Sequence, residues 1–477
     1  MKTKNVWNTY SAAQLKELEK FADAYRSFLD HGKTERECVD QIVERIEAEG
    51  YVEMSRAIAD GKKLKAGAKV YAVNMQKAVI MYCVGKEDLE CGMNILGAHI
   101  DSPRMDVKQN PLYQDNEFVY LDTHYYGGIK KYQWVTIPLA LHGVVVKKDG
   151  STAIVNIGEE ANDPVFFVSD LLIHLAAEQM EKKANKVIEG EALDIIVGSK
   201  PLKLTAAQKK AEKAAADKDD EEEKKDPFTR QILQILKEQY DMEEEDFLSA
   251  ELEVVPAGHA REAGFDRSMI LGYGQDDRVC AFSSLEAQLA VKNPVRTSCC
   301  ILVDKEEIGS VGATGMQSRF FENATAELME LCGGYQELKM RRCLTNSRML
   351  SSDVSAGFDP TYASAFEKKN AAYVGHGMVF NKFTGSRGKS GSNDANAEYM
   401  AMIRKIMDDA KVCYQTAELG KVDLGGGGTI AYILSLYGMD VIDCGVAVLN
   451  MHAPWEATSK ADLYETYRGY VAFLKAQ

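Results

Sequence analysis

The residues best suited to chemistry in this 477-residue sequence are two histidines and a few acids, each placed where an apolar run gives way to polar residues. The eight histidines are His31, His99, His124, His142, His174, His259, His376 and His452. Only His99, in GAHIDSP, and His452, in LNMHAP, directly follow strongly apolar runs and stand beside acid or amide groups. A histidine at a strand end is usually just a hydrogen-bonded structural residue. His99 carries something more, because Asp101 follows at i+2 and an extended segment turns i and i+2 to the same side. The carboxylate could therefore orient the imidazole. Two acid pairs stand out as well: Asp276-Asp277 ahead of a helix-like stretch, and Glu306-Glu307 after the run CCILV. Adjacent acids at a buried strand end are costly unless a cation or a proton relieves them. Asp353, in the Ser/Gly-rich SSDVSAG, is a further acid. Two imidazoles and three carboxylates suit divalent zinc, manganese or cobalt, and no sulfur ligand is indicated. One bridging carboxylate with two terminal ligands per ion would make a two-metal site with room for a water. Spacing alone does not say which acid bridges.

These residues need elements to hold them. NILGAHIDSP (94–103), SCCILVDKEEIGS (298–310) and VIDCGVAVLNMHAP (441–454) each read as an apolar run of strand length ending in polar residues. Continuous apolar runs predict strands buried on both faces, hence an α/β fold with a parallel or mixed sheet covered by helices. The ligand site of such a sheet lies beyond the carboxyl ends of its strands. The first 60 residues read as helix, with Ser11 and Gln14 resembling a capping box. The runs VYAVNM and AVIMYCV between Lys69 and Val84 read as strands.

The middle of the chain has its own strand-like runs (FVYLDTHYY, WVTIPLALHGVVVKK, STAIVNI) and helix-like runs (SDLLIHLAAEQM, TRQILQILKEQY). The expected organisation is a first domain, 1–105 and 244–477, interrupted by an inserted domain, 106–243. A charged segment lies near 206–226, with 13 charged residues in the 20 from 206 to 225; it reads as a solvated helix or a disordered loop without chemistry. The run Leu424–Thr429, four glycines between Leu and Thr, lacks the endings of a P-loop or dinucleotide fingerprint. It reads as a loop at Gly427 and Gly428 where backbone approaches substrate closely.

Composition bounds the function. The 57 Lys+Arg against 72 Asp+Glu give a net charge of −15, which argues against nucleic-acid and anionic-membrane partners. Ten cysteines with no CxxC pair suggest a reducing compartment. The N-terminal run MKTKNVWNTYSAAQLKELEKF lacks the apolar stretch of a signal peptide, and no run of about 18 apolar residues occurs. A soluble, cytoplasmic protein is expected.

The segments GAHIDSPRMDVK, YGQDDRVCAFSSLEA, VDKEEIGSVGATGMQS, SSDVSAGFDP and LNMHAPWEATSKADLYETYRGYVAFL resemble those of the aspartyl aminopeptidase / vacuolar aminopeptidase I family of dinuclear zinc metallopeptidases, in order along the whole chain. The resemblance implies a metallopeptidase domain interrupted by a dimerisation domain, and removal of N-terminal residues from peptides. It implies two divalent ions per chain, expected to be Zn2+ with Mn2+ or Co2+ as alternatives. His99 and Asp353 would hold one ion, Glu307 and His452 the other, with Asp276 bridging and Asp101 supporting His99. Glu306 would be the general base. A family preference for acidic first residues points to the segment GHGMVFNKFTGSRGKSGSNDAN, with Lys382 as the expected contact and His376 near the pocket. Some relatives prefer neutral residues such as leucine, and an inactive assembly protein on the same fold is the non-enzymatic alternative. Relatives also place a histidine from the dimerisation domain in the partner's active site, which here would be His174. Their dimers build hollow tetrahedral dodecamers.

Overall fold

The computed structural model describes residues 4–203 and 226–477, so the charged run 206–225 lies outside the described residues. The chain divides into two compact units, 1–102 with 259–477, and 103–258.

The first unit is built on a nine-stranded mixed sheet. Its spatial order is Val52–Glu53, Lys69–Asn74, Ala78–Cys83, Thr297–Val303, Met93–His99, Arg348–Ser352, Asp440–Gly445, Met378–Asn381 and Tyr414–Thr416. The four strands Thr297–Val303, Met93–His99, Arg348–Ser352 and Asp440–Gly445 run parallel. Every residue of Met93–His99 and Thr297–Val303 is buried, as unbroken apolar runs require of strands covered on both faces. Register then decides what meets at the strand ends. Val303 pairs with His99, so residues 304–307 emerge beside the imidazole. Ser351 pairs with Gly97, which brings Asp353 level with His99.

A second, five-stranded sheet collects the chain as it leaves the first. Its order is Arg261–Ala263, Met269–Gly272, Glu456–Ser459, Ala447–Leu449 and Ser355–Ala356. The apolar run 441–454, read above as one strand, is two. Asp440–Gly445 lies in the main sheet and Ala447–Leu449 in the small one. Its parallel neighbour makes the same transfer, from Arg348–Ser352 to Ser355–Ala356, and Asp353 sits at that junction.

Helices cover the main sheet. Ala12–His31 begins at a capping box formed by Ser11 and Gln14, and Glu35–Ala48 at one formed by Thr34 and Glu37. Phe21, Tyr25 and Phe28 of the first helix pack their rings 5.1–5.5 Å from Phe282 in the helix Gln275–Ala290. Truncating Phe282 to alanine would cost about 3–5 kcal/mol by leaving a cavity. That packing fixes the helix whose first turn carries Asp276.

The second unit holds a six-stranded sheet in the order Thr152–Ile157, Leu139–Val146, Ala250–Pro256, Arg104–Asp115, Phe118–Tyr126 and Ile195–Gly198. Ala250–Pro256 pairs on both sides within it, which carries the inserted unit to residue 258 rather than the expected 243. Its start moves from 106 to 103. The run SDLLIHLAAEQM is not the helix expected. Only Ile173–Leu175 forms a 3-10 turn and Ala177–Met180 a short helix. Leu172, Ile173 and Leu175 are 54–68% exposed, so among the described residues the apolar stripe has no core to pack a helix against.

No helix among the described residues is long and apolar enough to cross a membrane.

Candidate active site

The carboxyl ends of the parallel strands bring together the residues singled out by type and spacing. His99 Nδ1 lies 3.0 Å from the Asp101 carbonyl and 3.2 Å from its carboxylate, and both residues are buried. Donation from Nδ1–H leaves Nε2 as a bare lone pair. That lone pair faces Asp276 Oδ1 at 3.3 Å. Two acceptors in buried contact require a proton or a cation between them. The other oxygen of the same carboxylate, Oδ2, faces His452 Nε2 at 3.2 Å, with Glu307 Oε2 3.4 Å from that nitrogen. Asp353 Oδ1 and Glu306 Oε2 each lie 3.9 Å from His99 Nε2. Asp276 thus stands between the two imidazoles with one oxygen toward each.

Backbone hydrogen bonds hold this arrangement. Asp101 accepts the N–H groups of Glu306 and Glu307, both at 3.1 Å, on its two carboxylate oxygens. Ser102 Oγ donates to the Asp276 carbonyl at 2.7 Å. Glu456 accepts the N–H groups of Asp276 at 3.0 Å and His452 at 2.7 Å. Sequence reasoning gave neither Ser102 nor Glu456 a role. Glu456 sits four residues after His452 in MHAPWE, but its two partners are 180 and 4 positions away, a pairing no local pattern reports.

The paired glutamates separate by exposure. Glu307 is 3% exposed and turned toward His452, whereas Glu306 is 15% exposed and lines a cleft of about 390 Å³. Burial pushes the Glu306 carboxyl up to about 7; His99 and His452 pull it down, and the Asp276 and Asp101 charges push it further up. Burial likewise drives Glu307 and Asp353 well above the carboxylate range, helped by Asp276 and Asp277 respectively. Asp276 is the exception. Burial opposes its charge, but the two histidines outweigh burial and hold it below the ordinary range. Glu456 is raised to about 8 by burial and the Asp276 charge, while its two N–H donors pull the other way.

These residues fit a pair of divalent cations. His99 Nε2, Asp276 Oδ1 and Glu307 Oε1 are buried without a hydrogen-bond partner among the described residues. Ligand atoms of His99, Asp276 and Asp353 lie within 4.8 Å of one another, and so do those of Asp276, Glu307 and His452. His99, Glu306 and Glu307 form a third such group, so grouping alone does not separate Glu306 from the ligands. All donors are nitrogen or oxygen, as borderline and hard divalent ions prefer.

Gly427 and Gly428 line the cleft, with Leu419, Leu424 and Phe366 along the same wall. Lys382 and His376 do not line it. Lys382 is ion-paired with Asp394, which Lys389 also contacts at 3.0 Å. His376 lies between Gly375 and Gly377, whose N–H groups donate to the buried Asp462 carboxylate at 2.7 and 2.6 Å. His174 lies in the inserted unit, in the exposed 3-10 turn.

Comparison with known proteins follows the same lines. The sequence profile described as "Aminopeptidase I zinc metalloprotease (M18)" matches residues 28–474. A protein of Clostridium acetobutylicum named probable M18 family aminopeptidase 1 is 61% identical, across 99% of this chain and 98% of its own. The crystal structure of aminopeptidase I from Clostridium acetobutylicum superposes with a TM-score of 0.90 at 57% identity, covering all of both chains. A structure described as the S. cerevisiae mApe1 dodecamer shares the fold, with a TM-score of 0.74 at 19% identity over 95% and 96% of the two chains.

Proposed function

The chain belongs to the M18 family of zinc aminopeptidases, and on that premise we propose that it hydrolyses the N-terminal residue from peptides by means of two divalent ions and the carboxylate of Glu306. The observation that carries this reading is Asp276, with one carboxylate oxygen facing His99 and the other facing His452. His99 and Asp353 would hold one ion, Glu307 and His452 the other, with Asp276 shared. Ions bound there would lower the pKa of a water and polarise the scissile carbonyl.

Glu306 has the exposure and the poise of a proton carrier. It lines the cleft, whereas Glu307 is turned toward His452, so its carboxylate is the one free to face a water and move its proton. It would take one proton from the attacking water as the water oxygen joins the acyl carbon. As the C–N bond breaks, it would pass that proton to the departing nitrogen. Asp101 holds the Glu306 and Glu307 N–H groups, which keeps the base and the neighbouring ligand in fixed relation.

The first residue of the substrate is the finer question. Apart from the acids and His452, the cleft wall is Val354, Ala356, Ala365, Phe366, Leu419, Leu424 and Met451, with glycines and Thr429. No Lys or Arg is among its lining residues. This favours a neutral, apolar first residue over the acidic one expected from Lys382. Hydrolysis of leucyl, glutamyl and N-acetyl-leucyl p-nitroanilides by zinc-, manganese- and cobalt-loaded protein tests the whole reading. Cleavage of leucyl over glutamyl and none of the acetylated substrate is expected. Cleavage of the acetylated substrate would defeat the aminopeptidase assignment, and a glutamyl preference would restore the acidic pocket.

Assembly belongs to the same proposal. The exposed Leu172, Ile173 and Leu175 around His174 suit burial against a second copy. His174 could then stabilise charge on the carbonyl oxygen in the neighbour's site. In co-expressed mixed dimers, inactive His174→Ala and Glu306→Gln chains should together recover part of the activity. No recovery would confine His174 to its own chain or to no role.

A further inference from the structure

Glu456 is a buried carboxylate that ligates nothing in the proposed two-ion arrangement and yet touches both segments that would carry its shared half. It opens the strand Glu456–Ser459, where it pairs with Gly272, four residues before Asp276. One carboxylate oxygen accepts the backbone N–H of Asp276 at 3.0 Å, and the other accepts that of His452 at 2.7 Å. Its own carbonyl accepts Gln275 Nε2, and the same amide group donates to the Ile270 carbonyl at 3.1 Å.

His452 needs such a hold. It stands at φ 65°, a left-handed conformation that non-glycine residues adopt at a cost, and Asn450 two residues earlier stands at φ 62°. The His452 N–H in this turn donates to Glu456. The residue type is also informative. Two N–H donors converge on one side chain that is 1% exposed. A carboxylate offers two acceptor oxygens, whereas a glutamine of the same shape offers one and would turn its NH2 against the second donor.

We propose that Glu456 is a positioning residue: it locks the Asp276 and His452 backbones together before any metal arrives, so that the bridging carboxylate and the second imidazole are already in place. This rests on the two-ion reading given above. Asp101 makes the matching pair of contacts to Glu306 and Glu307 and supports His99. Glu456 therefore holds two of the groups proposed for the ion on His452, the imidazole and the shared carboxylate, and one proposed for the ion on His99, whereas Asp101 holds one group of each, His99 and Glu307.

The test is titration of the metal-stripped full-length protein with Co2+, read by visible absorption and by competition with a chelator. Wild type should take up two ions per chain. Glu456→Gln should keep its circular dichroism and bind the ion on His452 roughly 10- to 100-fold more weakly, with an altered absorption band and a smaller loss at the ion that shares only Asp276. Asp101→Asn, which touches one proposed ligand of each ion, should weaken both more evenly. A purely structural role for Glu456 would lower both affinities equally or leave both unchanged, and either result overturns the proposal. Fewer than two ions in wild type would overturn the two-ion reading and this inference with it. A second measurement needs no variant. In metal-free wild type, the amides of Asp276 and His452 should exchange with deuterium about as slowly as in the metal-loaded protein. Fast exchange that slows only on loading would mean that the metals, not Glu456, set the geometry.

Discussion

The two walls of the cleft are built on opposite plans. One is made of strand ends and the first turn of a helix: register sets His99, Glu307 and Asp353, and the buried carboxylates of Asp101 and Glu456 hold the backbones of Glu307 and Asp276. The other runs through residues 417–430, which contain neither helix nor strand. Backbone contacts hold that second wall: Lys421 N–H to the Ala365 carbonyl at 3.0 Å, Gly425 N–H to Lys421 at 2.8 Å, and Gly385 N–H to Gly427 at 2.7 Å. Its glycines differ among themselves. A Cβ on Gly425 would fall 1.7 Å from the Leu419 oxygen, and one on Gly426, at φ 117°, 1.8 Å from the Gly385 oxygen. A Cβ on Gly427 would meet nothing within 4 Å. Gly425 lets the loop fold on itself, Gly426 lets it approach the segment at Gly385, and Gly427 leaves the cleft open. Chemistry that tolerates little displacement sits on the sheet. Selection, which must change with the substrate, sits on a loop.

The largest effects belong on the strand-end wall, and two substitutions there should fail differently. Asp276→Ala removes the proposed shared ligand and should lose both ions and all turnover, as read by metal analysis and peptide hydrolysis. Retention of two tightly held ions would remove Asp276 from the bridge. Glu306→Gln should keep two ions per chain and lose roughly 100- to 10,000-fold in kcat. More than about a tenth of wild-type activity would mean that another group moves the proton.

On the glycine wall the damage should fall on substrate binding. Gly426→Ala must displace backbone at a position where an alanine is also strained. The expected loss is on the order of 10- to 100-fold in kcat/KM, carried mostly by KM, with metal content unchanged. An equal loss in kcat alone would show that the two walls are mechanically one piece.

A smaller effect should appear in stability against pH. Thr429, at the end of the glycine run, donates its hydroxyl to the buried Asp443 carboxylate. Burial raises Asp443 from 3.8 to about 7, against the pull of Thr429 and a backbone donor. Between those values the folded state binds more protons than the unfolded state, so this acid lowers stability as pH rises from about 4 to about 7. Asp443→Asn should flatten that part of the curve of Tm against pH relative to wild type. Parallel curves would mean that Asp443 does not titrate in this window.

The difference between the walls also explains what was legible in the sequence. His99, Glu306 and Glu307 announce themselves because unbroken apolar runs predict buried strands, and the polar residue that ends such a run is where an α/β sheet presents its ligands, whereas Asp353 stands out only as an acid in a Ser/Gly-rich segment. The single strand expected at 441–454 hides a transfer between sheets, which hydropathy does not register. Glu456 and Ser102 act through backbone atoms far along the chain, so no spacing pattern reports them. The run around His174 has the periodicity of a helix but its leucines and isoleucine are exposed among the described residues, and periodicity without burial does not make a helix. The insertion is visible in composition, but its end is not. Ala250–Pro256 looks like any strand until its two partners are known.

The smallest expected effect is the most informative about the second wall. Lys382 was the side chain best placed by sequence to meet an acidic first residue, and its loop is rich in cations. In the folded chain it pairs with Asp394, its side chain is 47% exposed, and Lys389 shares the same carboxylate while its ammonium lies 3.6 Å from the Phe383 ring centre. An exposed ion pair of this kind contributes about 0–1 kcal/mol, and a cation already neutralised by an aspartate has little field left for a substrate. Lys382→Ala should therefore change kcat/KM for leucyl and glutamyl substrates alike, each within about threefold. A loss confined to the glutamyl substrate would mean that Lys382 leaves Asp394 when peptide binds. The loop would then be a reader of charge, and the apolar lining of Val354, Phe366, Leu419 and Leu424 would cease to define the substrate. An equal, small loss leaves selection with that lining. It would also separate the walls cleanly, with buried charge on the side that performs chemistry and almost none on the side that chooses.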